Sequence, residues 1–344
     1  MDVFFLKIYG LLNETVLKYV SKFHGKGNFE MKIVITDLST LGNDADISPI
    51  KALGETVLYP YTSPEDVCDR IREAEIIICN KTLIGKKEID AAKDLKCILL
   101  FATGYNNIDV GYAASRGIPV CNAGQYSTYA VAQHTFALIL RQASRVAEYS
   151  DLVADGAWTR SPIFSMFDFP THELYNKTLG IVGYGSIGRA VTDIALAFGM
   201  KVIVHTRTPR KDGRVEFVSF DDLLRRSDYI SVHCPLTEKT SGLFNADAFS
   251  KCRDQAFFVN TSRGGVVDER ALADALNSGK LSGAALDVLS SEPMRSDCPL
   301  IGAKNLTLTP HTAWIPTETR QRLIGIVAGN LKAFLDGAPI NKVN

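Results

Sequence analysis

Residues 180–189 read Gly-Ile-Val-Gly-Tyr-Gly-Ser-Ile-Gly-Arg and place Gly183, Gly185 and Gly188 in a Gly-x-Gly-x-x-Gly pattern directly after an apolar run. The first glycine suits a tight turn, the second lets the backbone approach a pyrophosphate, and the third lets a helix pack closely on a strand. The pattern therefore predicts a dinucleotide site, although three spaced glycines alone could equally serve a structural turn.

The sequence on both sides of the glycines favours the dinucleotide interpretation. Residues 179–182 are strand-like, residues 190–198 are good helix formers, and residues 201–205 predict the next strand. The first N–H groups of the helix, those of Ser186 and Ile187, lack partners within the helix and favour a negatively charged group. The segment thus has the strand, turn and helix that phosphate binding requires.

Strand-like and helix-like segments alternate in two runs along the chain. The second run starts at the glycine pattern, and a last helical segment, residues 317–336, has no strand partner and is expected to return to the first run. We predict an α/β protein of two doubly wound parallel-sheet (Rossmann-like) domains with a cleft between them. Residues 31–127 plus 314–344 would form the substrate domain, residues 128–313 the dinucleotide-binding domain, and residues 1–30 an N-terminal extension.

Short apolar runs predict buried parallel strands. These strands are residues 33–36, 76–79, 97–101, 119–121, 179–182, 202–204, 229–232, 257–260, 284–288 and 306–309. The segment from about residue 128 to 151 contains no turn signal and predicts one long helix. The segment 158–170, rich in proline and aromatic residues, predicts an irregular loop that covers another part of the protein.

Composition excludes several classes of function. Lys+Arg and Asp+Glu each total 38, so no net charge attracts the protein to nucleic acid or to a membrane surface. The apolar stretch 3–12 is too short to span a bilayer and lacks a basic start and a cleavage site. Seven scattered cysteines without a Cys-x-x-Cys pair predict reduced core thiols, no disulfide and no metal site. We expect a cytoplasmic protein with a small-molecule partner.

Three polar residues that could carry chemistry follow predicted strands: Arg263, Glu292 and His311. The carboxyl ends of parallel strands share one edge, so the three loops are expected to converge. A guanidinium can grip a carboxylate, and a carboxylate beside an imidazole orients it and favours its charged form, as a proton donor requires. Each residue also has a structural alternative: a surface or domain-bridging arginine, a turn-capping glutamate and a buried, hydrogen-bonded histidine.

Five other histidines compete for the role of proton donor; they are His24, His134, His172, His205 and His233. His233 is the strongest rival, because the sequence His-Cys-Pro-Leu-Thr at 233–237 also follows a strand. We expect His233 and Pro235 to line the cofactor cleft.

Together, several motifs resemble the D-isomer-specific 2-hydroxyacid dehydrogenases, from about residue 31 to the end. The motifs are Gly-Tyr-Asn-Asn-Ile-Asp at 104–109, Tyr-Ser-Thr-Tyr-Ala-Val-Ala-Gln-His at 126–134, the glycine pattern, His-Cys-Pro-Leu-Thr at 233–237, Asn-Thr-Ser-Arg-Gly at 260–264, residues 287–293, and Pro-His-Thr-Ala-Trp at 310–314. The resemblance implies that Arg263, Glu292 and His311 are the catalytic set.

The resemblance carries further implications for the site and the assembly. Asp287 would hold the nicotinamide carboxamide, Thr261 would contribute to the cofactor site, and backbone amides near Gly104 and Tyr105 would help to hold the substrate carboxylate. A homodimer would form through the long helix and neighbouring elements. Within the family, residues 158–174 and the Pro-His-Thr-Ala-Trp motif look most like glycerate dehydrogenases, also called hydroxypyruvate reductases.

The end of the second strand of the glycine domain bears on the cofactor. NAD-preferring members place an acidic residue there, roughly 20 residues past the glycines, to accept hydrogen bonds from the ribose. Residues 204–211 read Val-His-Thr-Arg-Thr-Pro-Arg-Lys and contain no carboxylate. Thr206 stands at the acidic position, with Arg207 and Arg210 able to pair with a 2′-phosphate. We predict that NADP(H) is preferred and NAD(H) possible; the alternative is a solvated basic turn that accepts either.

These observations predict a reductase that transfers hydride between NAD(P)H and a short 2-keto acid. Hydroxypyruvate or glyoxylate would be the substrate, and D-glycerate or glycolate the product. One rival is a nucleotide-sensing, corepressor-like binding protein of the same fold. A Rossmann-like methyltransferase is a second rival, but it would have no use for the third glycine or for the Arg, Glu and His set.

Overall fold

A computed structural model describes residues 31–209 and 211–344, which fall into two compact units. One unit contains the described residues up to Ala123 together with Ile324–Asn344, and the other is Gly124–Leu323. The predicted N-terminal extension and Arg210 lie outside the described residues.

The first unit is built on a five-stranded parallel sheet within the described residues, with strand order β2-β1-β3-β4-β5. Its strands are β1 (Lys32–Ile35), β2 (Glu55–Leu58), β3 (Ile76–Cys79), β4 (Cys97–Leu100) and β5 (Val120–Cys121). Its helices are α1 (Ser48–Lys51), α2 (Val67–Ile71), α3 (Lys86–Ala91) and α4 (Val110–Ser115), with a single 3-10 turn at Leu38–Leu41. Every residue of β3 and β4 is buried, as their continuous apolar sequences require.

The second unit contains a seven-stranded parallel sheet of order β12-β11-β10-β9-β6-β7-β8. Its strands are β6 (Thr178–Val182), β7 (Lys201–His205), β8 (Glu216–Phe217), β9 (Tyr229–Val232), β10 (Ala256–Asn260), β11 (Leu281–Leu286) and β12 (Leu306–Leu308). The strand order reverses direction between β6 and β9, and the glycine pattern directly follows β6. In such sheets the crevice beyond this switch point is where ligands bind.

The helices that lie wholly in the second unit are α5 (Thr128–Ser144), α6 (Val146–Ala154), α7 (Ser186–Ala197), α8 (Phe220–Arg226), α9 (Ala246–Lys251) and α10 (Glu269–Asn277), with 3-10 turns at Trp158–Arg160 and Gly264–Val266. The last helix, α11 (Thr317–Leu335), begins in the second unit and belongs to the first unit from Ile324 onward. Helix α5 buries Ala132, Phe136 and Ile139 in one apolar cluster with Ile181 and Val191. This packing fixes the rotation of α5 about its axis and therefore where its polar residues lie. The predicted α/β class with two parallel sheets is confirmed.

Two of the predictions for individual elements were wrong. The segment 128–151 is two helices, because Arg145 adopts a left-handed backbone conformation with φ 52°. Helix α5 packs on the core while α6 buries none of its residues, so the chain turns away from the core at this point. Strands β2 and β8 were not predicted: both lie at sheet edges, and each carries an exposed glutamate in place of a continuous apolar run.

Other expectations concern the cysteines and the membrane. Five of the cysteines are buried and two, Cys68 and Cys298, are partly buried. Within residues 31–209 and 211–344, no group of histidine, cysteine and acidic residues could hold a metal ion. No helix in the same part of the chain has the length and apolar character needed to cross a membrane.

Candidate active site

The glycine turn after β6 has the geometry of a phosphate cradle. A Cβ atom at Gly183, whose φ is 99°, would lie 2.6 Å from the backbone nitrogen of Cys234, and one at Gly188 would lie 2.3 Å from the carbonyl oxygen of Gly183. These two glycines are required by packing. Gly185 differs, since a Cβ there would meet nothing within 4 Å. The open space lies at the N-cap of α7, where unpaired N–H groups attract an anion, so the turn fits a pyrophosphate.

His233 adds a second observation in favour of a bound dinucleotide. Its backbone also packs against the glycine turn, since its carbonyl carbon and oxygen would lie 2.7 Å from a Cβ placed on Gly183. Its Nε2 lies 2.8 Å from the Ser231 hydroxyl, while its Nδ1 is buried and has no hydrogen-bond partner in the described part of the chain. Burial lowers the pKa of His233 to about 3, so the ring is neutral. An unsatisfied buried nitrogen beside the cradle suits a polar group of the cofactor.

The segment after β7 contains an arginine without a partner and, a few residues later, an aspartate whose charge is balanced by another arginine. Arg207 is exposed and makes no hydrogen bond or ion pair within the described residues, next to the partly buried Thr206. Asp212 accepts a hydrogen bond from the Tyr184 hydroxyl at 2.8 Å, and Arg214 binds the same carboxylate in bidentate fashion at 2.8 and 2.9 Å. Arg214, followed by Tyr184, holds the pKa of Asp212 well below its ordinary value. Sequence reasoning missed Asp212, which the chain reaches only by folding back over the glycine turn.

Glu292 and His311 are in direct contact. Nδ1 of His311 lies 2.6 Å from Oε2 of Glu292, and the other oxygen of Glu292 accepts the Leu289 backbone N–H at 2.9 Å. Both side chains are about one-third exposed, at 29% and 35%. The contact occupies Nδ1 and leaves Nε2 of His311 without a polar partner among the described residues. The loops after β11 and β12 therefore converge at one edge of the sheet.

Asp287 holds the turn that carries His311. Its carboxylate accepts hydrogen bonds from the Thr309 hydroxyl at 2.5 Å, the Thr312 N–H at 2.8 Å and the Ala313 N–H at 2.9 Å, and its carbonyl accepts the His311 N–H at 2.9 Å. Burial acts to raise the pKa of Asp287, but the hydrogen bonds, the first of them from His134, outweigh it and lower that pKa. The turn thereby keeps His311 at φ 55°, a left-handed conformation that is unfavourable for this residue.

The loop that carries Arg263 is fixed by its neighbours. The fully buried Asn260 donates to the Arg263 carbonyl at 3.0 Å and accepts from the backbone and hydroxyl of Ser262. A Cβ at Gly264 would lie 1.8 Å from the carbonyl carbon of Leu289, so this glycine lets the Arg263 loop touch the loop that carries Glu292. The Arg263 side chain itself is exposed, with Nη1 on the Ser262 carbonyl at 2.7 Å.

Two aromatic residues lie close to the Arg263 loop and to the turn of His311. The rings of Tyr126 and Trp314 meet edge to face at 6.3 Å between centroids. Burial raises the pKa of Tyr126, and the positive charge of Arg263 acts in the opposite direction, which places the guanidinium near this ring. The sequence indicates no individual role for Tyr126, which is only one member of the motif at 126–134.

The remaining predicted residues divide between the two units. Thr261 is buried beside Arg263, and Pro235 is exposed in the segment after β9. Gly104 and Tyr105 belong to the loop after β4 in the other unit, where Tyr105 is 39% exposed. Their role in binding a substrate carboxylate stays a prediction.

A phosphate cradle at the switch point of a doubly wound sheet, together with a Glu-His pair and a nearby arginine, defines a dinucleotide-dependent oxidoreductase. Residues 136–313 match the family model described as D-isomer specific 2-hydroxyacid dehydrogenase, NAD binding domain. The chain belongs to the D-isomer specific 2-hydroxyacid dehydrogenase family. It is an enzyme that uses a nicotinamide cofactor, as the sequence predicted.

Similar proteins cover almost all of the described chain. It is 41% identical over 321 residues to a hydroxypyruvate reductase of Blautia hydrogenotrophica, covering 91% of this chain and 100% of the relative. It is 35% identical to a glycerate dehydrogenase of Methylorubrum extorquens, covering 91% and 98%. A crystal structure of an NADPH-dependent glyoxylate/hydroxypyruvate reductase of Sinorhizobium meliloti, in complex with NADP and malonate, matches with a TM-score of 0.79, 29% identity and coverage of 91% and 96%. These relatives do not support the corepressor-like alternative.

Proposed function

We propose that this enzyme reduces hydroxypyruvate or glyoxylate to D-glycerate or glycolate, with His311 as the proton donor, Glu292 as its partner and Arg263 as the anchor of the substrate carboxylate. The contact of 2.6 Å between Glu292 and His311 carries this proposal, because it leaves the opposite nitrogen of the imidazole available. The relatives named hydroxypyruvate reductase and glycerate dehydrogenase support the choice of substrate.

The chemistry follows from these groups. A nicotinamide cofactor held at the glycine turn and by Asp287 would supply the hydride that reduces the carbonyl carbon. The Nε2–H of His311 donates a proton to the carbonyl oxygen, and the Glu292 carboxylate stabilises the imidazolium before the transfer and keeps the Nδ1–H bond afterwards. Arg263 orients the substrate through its carboxylate.

Asp287 has two proposed tasks. Its Oδ1 accepts hydrogen bonds from Thr309 and Thr312, whereas its Oδ2 accepts only the Ala313 N–H within the described residues. A carboxylate oxygen can accept two hydrogen bonds, so Oδ2 keeps one lone pair for the nicotinamide carboxamide. The other oxygen serves the turn that carries His311.

We propose that the two domains have the functions predicted from the sequence. Residues 128–313 would bind the dinucleotide at Gly183, Gly185 and Gly188, and residues 31–127 plus 314–344 would form the substrate domain. The cytoplasmic location also stays a prediction.

Removing the proposed proton donor tests the mechanism. His311→Ala should lower kcat about 10²- to 10⁴-fold, since general acid catalysis contributes that much, while the Kd of the cofactor stays unchanged. His172→Ala is the matched control, because His172 is exposed and its side chain has no recorded contact in the described residues. Wild-type turnover by His311→Ala on hydroxypyruvate, glyoxylate, pyruvate and phenylpyruvate would assign the proton transfer to another residue.

The proposed preference for NADP(H) rests on the end of β7. Thr206 replaces the acidic residue that would repel a 2′-phosphate, and Arg207 is exposed without a partner in the described residues. The structural relative from Sinorhizobium meliloti is NADPH-dependent. A comparison of kcat/KM for NADPH and NADH, in the wild type and in Arg207→Gln, tests the proposal. A wild type that favours NADH would overturn it.

We also propose a homodimer, formed through α5, α6 and the segment after them. Val146, Trp158, Phe164 and Phe167 expose 52% to 89% of their surface, an apolar area that a partner copy would cover. Sedimentation velocity gives the mass in solution, and Phe164→Lys should shift a dimer toward the monomer. A wild-type monomer at assay concentration would refute the proposal.

A further inference from the structure

His134 lies on α5 and contacts the turn that carries His311. Its Nε2 is 3.0 Å from the Thr309 hydroxyl oxygen and 3.4 Å from Oδ1 of Asp287. The Thr309 hydroxyl has one hydrogen, and its distance of 2.5 Å to the Asp287 carboxylate requires that this hydrogen point to Asp287. Thr309 therefore accepts from His134, and the His134 proton resides on Nε2.

The next residue of the helix, Thr135, contacts the loop that carries Arg263. Thr135 is fully buried; its hydroxyl donates to the Val131 carbonyl at 2.8 Å and lies 3.0 Å from the Thr261 hydroxyl. Since the hydrogen of Thr135 is used within the helix, Thr261 donates to Thr135. Thr261 stands two residues before Arg263.

We propose that His134 and Thr135 are positioning residues which set the places of His311 and Arg263 relative to one another. Two adjacent positions on one helix hold two separate loops: His134 holds the turn of His311 through Thr309 and Asp287, and Thr135 holds the loop of Arg263 through Thr261. This inference rests on the proposed roles of His311 and Arg263.

Helix α5 is suited to this task because it is anchored independently of both loops. Phe136 and Ile139 are buried in one apolar cluster with Ile181 and Val191, which belong to neither loop. Displacement of a reacting group by about 1 Å can cost about 10²-fold in rate, so a rigid reference for both loops has a large effect on turnover.

The contacts also separate the two effects. The carboxylate of Asp287 meets His134 from α5, and its other recorded partners are the uncharged hydroxyls and amides of residues 309–313. Loss of the His134 donor should therefore act on Asp287 and on the proton donor. Loss of the Thr135 hydroxyl should act on the substrate anchor and leave Asp287 unchanged.

Substitution of His134 tests the first contact. His134→Leu should lower kcat about 10- to 100-fold with little change in the KM of the keto acid. It should also move the acid limb of the kcat profile to higher pH, because the Thr309 hydroxyl loses its own donor and the Asp287 carboxylate loses the nearby His134 N–H. His134→Gln, which keeps an N–H donor, should recover most of the turnover and the original acid limb. Equal turnover and equal pH profiles for the two variants would overturn the assignment.

Substitution of Thr135 tests the second contact. Thr135→Val keeps the shape of the side chain and should raise the KM of the keto acid about tenfold at nearly unchanged kcat, whereas Thr135→Ser should behave as the wild type. Unfolding midpoints are measured for all four variants. If lower kcat and higher KM always accompanied a proportional loss of stability, both residues would serve the fold alone. Wild-type turnover by His311→Ala would refute the proposed function, while an inactive His311→Ala beside a fully active His134→Leu would refute this inference alone.

Discussion

The glycine turn gives a prediction in which stability and cofactor binding separate. At Gly188 an added methyl group would lie 2.3 Å from the Gly183 carbonyl oxygen, where real Cβ atoms essentially never come within 3.0 Å, so the backbone must move. We expect Gly188→Ala to destabilise the fold by about 1–3 kcal/mol, the usual cost of overpacking. Gly185 has φ −76° and ψ −162°, which alanine adopts freely, and nothing lies within 4 Å. Gly185→Ala should be neutral or should stabilise the fold by about 0.4–1 kcal/mol.

Gly185→Ala should weaken cofactor binding although it does not destabilise the fold. The methyl group of Gly185→Ala would occupy the space through which a pyrophosphate approaches the first N–H groups of α7, and loss of one hydrogen bond to a charged group costs about 1.5–3 kcal/mol. This corresponds to an affinity for NADPH that is weaker by about 10- to 100-fold. Calorimetric titration and urea unfolding measure the two quantities. Gly329→Ala in α11, also with nothing within 4 Å, is the control for the substitution itself. Wild-type affinity of Gly185→Ala, or a loss of stability equal to that of Gly188→Ala, would refute the reasoning.

Three other predictions concern His233, Asp287 and Tyr184. His233 has a pKa of about 3 in the folded protein and about 6.5 when unfolded, so its contribution to stability is complete above pH 6.5 and is lost as the pH falls. Urea unfolding should show about 2 kcal/mol less stability at pH 5 than at pH 7 from this residue, and His233→Asn should remove that part of the slope; an unchanged slope would contradict the assignment. Asp287→Asn should lower kcat by at least about 100-fold, because the turn of His311 loses its charged acceptor, and steady-state assays that found less than a twofold change would disprove this. Tyr184→Phe removes the hydrogen bond to Asp212, and we expect the ratio of kcat/KM for NADPH over NADH to fall several-fold; an unaltered ratio would show that the segment after β7 is held without it.

The parts of the fold that could be predicted from the sequence are those with a local signal. Continuous apolar runs mark strands buried on both faces, and β3 and β9 match their predicted bounds residue for residue. The edge strand β2 has no fully buried residue, and no continuous apolar run identifies it. The helix break at Arg145 has no glycine or proline to announce it, because it results from where the core ends.

In the candidate site too, the features that could be predicted are those with a local sequence signal. Glu292 and His311 could be paired from sequence because each follows a strand of one parallel sheet, and loops at that edge meet. The environment of Asp287 could not be predicted from the sequence, because its contact with His134 depends on the rotation of a helix that lies more than 150 residues away along the chain. Asp212 was overlooked for a similar reason: its contact with Tyr184 forms only when a polar loop folds back over the glycine turn.

The contact between Gly264 and Leu289 limits how this active site can be altered by mutation. Because a Cβ at position 264 would lie 1.8 Å from another backbone carbon, every side chain larger than hydrogen would push apart the strand-end loops bearing Arg263 and Glu292. A mutant library intended to change substrate preference can vary Tyr126 and Trp314, but position 264 must remain glycine.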